Sequence, residues 1–170
     1  MRRVINYLLL IVLTASTFAH GQTNDRHTYF GIGADMIIAN ASTTSVNNCL
    51  FIPAPSLQFG SSVSPQFEVR GAFATLIYVS VVSADALYTN HFSNPSLRYY
   101  LGGGPDLALI LPILADETSS LRYFALHLTA GLEYRASSVI GLYAESQPFI
   151  IFSTNITPGV RLRTGVNFHF

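Results

Sequence analysis

Charged side chains stand at alternate positions within the apolar segments of this sequence. In the last segment, residues 159–170, Arg161 and Arg163 alternate with Val160 and Leu162. Residues two apart on a strand point to the same side of a sheet, so such charges share one face. The full set of charges on polar faces is Asp35, Glu68, Arg70, Asp85, Arg98, Asp106, Glu133, Arg135, Glu145, Arg161 and Arg163.

Six carboxylates and five guanidinium groups on facing surfaces would form charge-assisted hydrogen bonds, which are the strong ones. An enclosed charge without a partner costs several kcal/mol, so a near-balanced set predicts a structural network of arginine–carboxylate pairs. The alternative is a gated or leaky pore in which some pairs exchange partners.

Three other residues belong to types that act in catalysis or metal binding, but the evidence for such a role is weak for each of them. His127 shares a face with Thr129 and Glu133, but a single histidine on a polar face more often completes a hydrogen-bond network. Asp116 and Glu117 are adjacent acids of the kind that water usually solvates. We therefore predict no enzymatic activity, no cofactor and no metal site.

Two further motifs have simple explanations. The glycines at 102–104 are followed by no lysine and no helix start, so they lack the elements of a phosphate-binding loop. Cys49 is the single cysteine, so it has no disulfide partner within the chain.

The composition excludes several classes of protein. Of the 170 residues, 49% are hydrophobic and 11% are charged, whereas globular domains carry about 25% charged residues. This excludes a disordered chain. All nine basic residues are arginine, they are balanced by nine acids, and they form no cluster, so we predict no nucleic-acid binding.

The first segment has the features of a secretory signal peptide. Arg2 and Arg3 precede an apolar run, and small residues around Ala19 and Gly21 supply a cleavage site. The run is shorter than the ~20 residues of a membrane-spanning helix. We therefore expect residues 1–21 to be removed and 22–170 to form one domain.

The mature chain favours strands over helices, because it is rich in β-branched and aromatic residues with glycine and proline between the runs. We predict eight strands near 26–39, 52–61, 66–78, 81–91, 96–112, 121–135, 138–151 and 158–170. Polar loops at 40–51 and 115–120 are long, whereas the connection at 62–65 is short. This asymmetry is typical of outer-membrane barrels. We expect 40–51 on the outer side and 62–65 on the inner side.

The alternation by itself allows two environments. In a soluble barrel or sandwich the apolar face is the core, whereas in a membrane barrel it contacts lipid. Aromatic residues near strand ends, among them Tyr29, Phe67, Tyr99, Phe149 and Phe168, favour the membrane barrel, because they suit the interfacial girdles. The polar faces carry few charges among small residues, which suits a narrow barrel interior. The predicted fold is an all-β, eight-stranded, antiparallel, up-and-down transmembrane β-barrel.

The C-terminal pattern resembles the terminal signal of bacterial outer-membrane barrels. Phe170 ends the chain, and Phe168, Val166 and Leu162 alternate behind it. The whole mature chain resembles small barrels of the OmpA and OmpX type, without a peptidoglycan-binding domain after the last strand. The resemblance implies a Gram-negative-type outer membrane, contact with its lipids, and recognition of Phe168 and Phe170 by the barrel assembly machinery.

Three functions follow from this reading of the sequence. The first is an outer-membrane barrel with a structural or surface-interaction role, a lumen plugged by paired charges, and a possible surface partner at loops 40–51 and 115–120. The second is a small passive pore for ions or solutes. The third is an exported soluble binder of an apolar ligand, in the manner of lipocalins.

Overall fold

The computed structural model describes residues 27–40, 49–75, 79–110, 122–152 and 156–170. These residues form eight strands, and they include no helix long and apolar enough to span a membrane. The strands are β1 Thr28–Asn40, β2 Cys49–Ser64, β3 Phe67–Thr75, β4 Val79–His91, β5 Leu97–Ile110, β6 Arg122–Arg135, β7 Ile140–Phe152 and β8 Ile156–His169.

The strands form one closed antiparallel barrel in which each strand pairs with its neighbours in the chain. The barrel closes where β1 pairs with β8, and there Phe30 lies opposite Phe168 and Asp35 lies opposite Arg163. Closure leaves no strand edge with unpaired backbone groups, which is the condition for a sheet to exist in lipid.

Burial alternates along each strand in the sense opposite to that of a soluble protein. On β6, His127 and Glu133 point into the barrel and are buried, whereas Leu126, Leu128 and Leu132 point outward and are exposed. Two-residue periodicity therefore places the polar face inside and the apolar face outside. The barrel interior, rather than an apolar core, holds the charged residues.

The strand limits differ from the predicted ones at several ends. β2 begins at Cys49, inside the segment predicted as the loop 40–51, and it continues to Ser64. The short connection is therefore a turn at Pro65 and Gln66 rather than over 62–65. Pairing with the neighbouring strand continues past the polar residues, because ladder hydrogen bonds do not depend on side-chain type.

Several predictions lie outside the described residues. These are the signal peptide at 1–21, residues 41–48 of the first long loop and the second long loop at 115–120. Asp116 and Glu117 lie in the last of these segments.

Candidate functional site: the charged lumen

All eleven charged residues predicted for the polar faces lie on strands with their side chains toward the barrel interior. Ten of them are buried, and Arg135 is partly exposed at the end of β6. The structure joins them in two clusters of ion pairs. One cluster occupies the middle of the lumen, and the other lies toward the end of the barrel that carries the turn at Pro65 and Gln66, here called the short-turn end.

The central cluster is a closed ring in which basic and acidic side chains alternate, and one of the basic ones is His127, which is charged only when protonated. Eight contacts of 2.6 to 3.9 Å join its members. None of the eight residues is more than 6% exposed. In order around the ring they are Arg70, Asp85, His127, Asp106, Arg161, Asp35, Arg163 and Glu145. They come from seven of the eight strands, so the ring links nearly the whole wall of the barrel.

Some ring contacts cross the lumen. Arg70 on β3 reaches Glu145 on β7, on the opposite side of the barrel, with Nη1 2.6 Å from Oε2. The same arginine also donates from Nε to Asp85 Oδ2 at 3.1 Å. Arg161 on β8 directs Nη2 toward both oxygens of Asp106 on β5 at 3.2 Å. Charged side chains therefore occupy the middle of the interior rather than lining its wall.

The second cluster centres on Arg98, which bridges two carboxylates. Its Nη1 lies 2.9 Å from Glu68 Oε2 and its Nη2 lies 3.0 Å from Glu133 Oε2. Glu133 also lies within ion-pair distance of Arg135 and His169. These contacts neutralise two acids near the short-turn end.

Uncharged side chains connect the two clusters, and the sequence analysis did not identify them. Gln58 Oε1 accepts a hydrogen bond from Arg70 at 3.3 Å, and Gln58 Nε2 donates to Asn167 Oδ1 at 2.7 Å. Asn167 Nδ2 then donates to Glu133 Oε2 at 2.7 Å. Asn167 shares the face of Arg161 and Arg163, so the two-residue period was a signal for it, whereas β2 carries no predicted lumen residue that could have indicated Gln58.

Inward-facing aromatic rings lie over glycines of the neighbouring strand. Tyr29 lies directly opposite Gly60, and Tyr100 lies directly opposite Gly131. A Cβ atom at either glycine would collide with the facing ring. The glycines therefore let two large rings lie against the wall, where Tyr29 donates to Glu68 and Tyr100 donates to Glu145.

Two of the aromatic residues used as evidence for girdles point inward instead. Tyr29 and Phe149 are buried in the barrel interior. Phe149 lies opposite Gly159, in the same arrangement as the tyrosines. Their assignment to a lipid interface was wrong, because it used residue type and position along the strand and ignored the side of the strand.

The outer surface formed by the described side chains is predominantly apolar. Many large hydrophobic side chains are exposed there, among them Ile32, Val69, Leu101, Leu126, Leu128, Leu142 and Ile150. Aromatic pairs Phe67–Tyr88 and Phe92–Tyr99 lie near the short-turn end. An apolar band next to aromatic residues is the surface of a membrane-spanning barrel.

The geometry around His127 does not form a nucleophile–base pair. Thr129 Oγ1 donates to Asp85 Oδ1 at 2.8 Å, and His127 Nε2 lies 2.7 Å from the same oxygen. The threonine hydroxyl is thus directed to a carboxylate rather than to the imidazole. Within the described residues, no group of three or more His, Cys, Asp or Glu side chains is placed to hold a metal ion.

The barrel is similar to known outer-membrane barrels. No protein-family model and no curated protein sequence matches the chain. Among solved structures, the N-terminal β-barrel domain of Pseudomonas aeruginosa OprF matches with a TM-score of 0.62 and 17% identity, covering 84% of this chain and 97% of that one.

Two further solved structures match over similar lengths. Neisserial surface protein A (NspA) matches with a TM-score of 0.61 and 14% identity, over 84% of this chain and 97% of that one. The attachment invasion locus protein Ail of Yersinia pestis, in complex with the heparin analogue sucrose octasulfate, matches with a TM-score of 0.58 and 15% identity, over 86% of this chain and 100% of that one. The protein has the fold of a small eight-stranded transmembrane β-barrel.

Proposed function

We propose that this protein is an integral outer-membrane barrel with a structural or surface-interaction role, and that paired charges close its lumen. The observation that carries the proposal is the ring of eight alternating basic and acidic side chains across the interior. Eight strands leave an interior just wide enough for side chains, so long guanidinium groups that cross it leave little room for solute. The Gram-negative-type outer membrane as the location is supported by the likeness to OprF, NspA and Ail.

A surface partner would meet the long loops of the sequence. The segments 40–51 and 115–120 contain Ser, Thr, Asn and two acids but no arginine or lysine. Ail was crystallised with a sulfated heparin analogue. Loops without positive charge do not favour such a polyanion, so we propose recognition by hydrogen bonds from amide and hydroxyl groups.

A passive pore is the second candidate, and one observation favours it. Several buried polar atoms in the lumen have no protein hydrogen-bond partner, including Ser56 Oγ, Ser83 Oγ and Tyr143 OH. Buried polar groups are usually paired with protein or water, so water at these atoms would hydrate part of the lumen. A hydrated path that joined both ends of the barrel would conduct ions.

Cell fractionation with a gel-shift assay tests the membrane assignment. We expect the protein in the outer-membrane fraction, resistant to washing at high pH, and with faster gel migration when the sample is not heated. A Phe168→Asp variant, which places a charge on the lipid-facing side of the last strand, is the matched control and should lose the shift. Recovery of the wild-type protein in a soluble fraction without detergent would contradict the proposal and favour the soluble lipocalin-like binder.

A further inference from the structure

His127 is the one member of the central ring that belongs to a residue type whose charge ordinarily changes near neutral pH. The other members are three arginines, which remain protonated in proteins, and four carboxylates, which ionise in the acidic range. Without a proton on His127 the ring holds four negative charges against three positive ones. With that proton, the ring is neutral and its charges alternate all the way around.

Both ring nitrogens of His127 face carboxylate oxygens. Nε2 lies 2.7 Å from Asp85 Oδ1, and Nδ1 lies 3.1 Å from Asp106 Oδ1. The second contact is within ion-pair distance but does not have the geometry of a hydrogen bond. A neutral imidazole has one N–H group and one nitrogen lone pair. Either neutral tautomer would therefore direct a lone pair at a carboxylate.

The carboxylates already have donors that favour their ionised form. Asp85 accepts from Arg70 Nε at 3.1 Å and from Thr129 Oγ1 at 2.8 Å. Asp106 faces Arg161 Nη2 with both oxygens at 3.2 Å. A proton shared among the three groups therefore belongs on His127 rather than on either acid.

No other charge on the neighbouring strands replaces that proton. The side chains bonded to this side of the ring are Thr129 on β6 and Gln147 on β7, and both are uncharged. On β2, Gln58 is also an uncharged amide. Among the described residues, loss of the proton leaves Asp85 and Asp106 facing a neutral imidazole.

We propose that His127 is a proton-controlled lock of the lumen. The imidazolium on β6 lies against both Asp85 on β4 and Asp106 on β5, and loss of its proton releases that side of the ring. Arg70 would remain bound to Asp85 and Arg161 to Asp106, but no charged side chain would then link these two pairs on that side of the ring. The proposal rests on the closed lumen proposed above and adds a condition, pH, under which it opens.

The direct test is a ¹⁵N NMR titration of the histidine side chains of the folded wild-type protein in lipid nanodiscs. Both nitrogens of His127 should be protonated in the closed protein, and one should lose its proton as the pH is raised. His91, exposed at the end of β4 with Nδ1 3.1 Å from Pro95 O, is the internal reference. The His27→Gln, His91→Gln and His169→Gln variants identify the other histidine signals, so those of His127 are assigned without a substitution in the ring.

A second measurement records ion conductance in planar bilayers as the pH is raised. Wild type should be closed at pH 6 and conduct once His127 has lost its proton. His127→Gln should conduct at both pH values, His127→Lys should stay closed at both, and His91→Gln should behave as wild type.

The outcomes separate the two proposals. If wild type stays closed after His127 is deprotonated, the lock is refuted and the closed lumen remains. If wild type conducts equally at every pH while His127 keeps its proton, the closed lumen is refuted instead. If His127→Gln does not fold, the wild-type titration still decides the protonation state.

Discussion

Arg163 on the last strand binds Asp35 on the first strand through two parallel hydrogen bonds, Nε to Oδ1 at 2.6 Å and Nη2 to Oδ2 at 2.7 Å. The two residues lie directly opposite each other in the pairing of β8 with β1. The pair therefore joins the two ends of the chain from inside the barrel, at the seam that closes it.

Removal of one partner of this seam pair should destabilise the barrel strongly. Asp35→Asn leaves Arg163 with Glu145 at 3.3 Å as its remaining carboxylate. We expect a loss of about 3 kcal/mol in the free energy of unfolding, because a buried guanidinium keeps its charge and loses its closest partner. Denaturant unfolding in detergent micelles measures it.

The control for the seam pair is the double variant Asp35→Asn with Arg163→Gln. Since both charges are then absent, much of the stability should return, and the double-mutant cycle gives the coupling. Ala34→Val, on the adjacent outward position, should change the unfolding midpoint little. Additive losses from the two single variants would show that the pair is not coupled.

Substitution of a glycine by alanine should destabilise the barrel more where the glycine faces the interior than where it faces outward. Gly131→Ala places a methyl group against the Tyr100 ring, and we expect a loss of about 1–3 kcal/mol, as for other overpacked sites. Gly71→Ala is the matched control, because a Cβ there meets nothing within 4 Å. It should be neutral or stabilise by up to about 1 kcal/mol through reduced chain entropy. Equal effects of the two substitutions on the unfolding midpoint would contradict the aromatic–glycine packing.

The penalty for a charge on the outer surface should depend on depth. Leu128 at the middle of β6 is 68% exposed, and Ile156 at the start of β8 is 71% exposed. Leu128→Arg should cost about 2–4 kcal/mol in phospholipid vesicles and Ile156→Arg about 0–1, since lipid solvates charge least at the midplane. A soluble protein would tolerate both substitutions equally.

The period-two pattern was sufficient to predict the number of strands and the side of each lumen charge. Glu133 and His127 were placed inward because polar and apolar residues alternate strictly around them. The partners were not predictable, because the contact between Arg70 and Glu145 depends on how far each strand is shifted along its neighbour. That shift arises from the closed ladder as a whole and not from any local segment.

Residue type predicted the direction of a side chain less well than the two-residue alternation did. Tyr29 is an even number of positions from the inward Asp35, so the alternation by itself predicts that Tyr29 is buried. It was assigned to the lipid interface because it is an aromatic residue near a strand end. Asn167 shares the charged face of the last strand and Gln58 lies inward on β2, but neither was assigned to the network because they carry no charge. Amides are nevertheless the groups that connect the two ion-pair clusters.

The C-terminal aromatic residues should matter for assembly more than the loop does. Deletion of Phe170, which is 74% exposed on the described barrel, should reduce the yield in the outer membrane. Deletion of one residue from 115–120 should reduce it less, because the resemblance to outer-membrane barrels assigns the signal to the last strand. Immunoblots of membrane fractions measure the yield of both deletion variants, and equal yields would contradict a signal in the last strand.

The closed lumen is tested most directly by planar-bilayer conductance of the purified protein at pH 6. Wild type should insert without steady current, whereas Arg70→Ala combined with Glu145→Ala should conduct, because the pair that spans the lumen is gone. Gly71→Ala should remain closed like wild type. A steady wild-type current equal to that of the double variant would contradict the account.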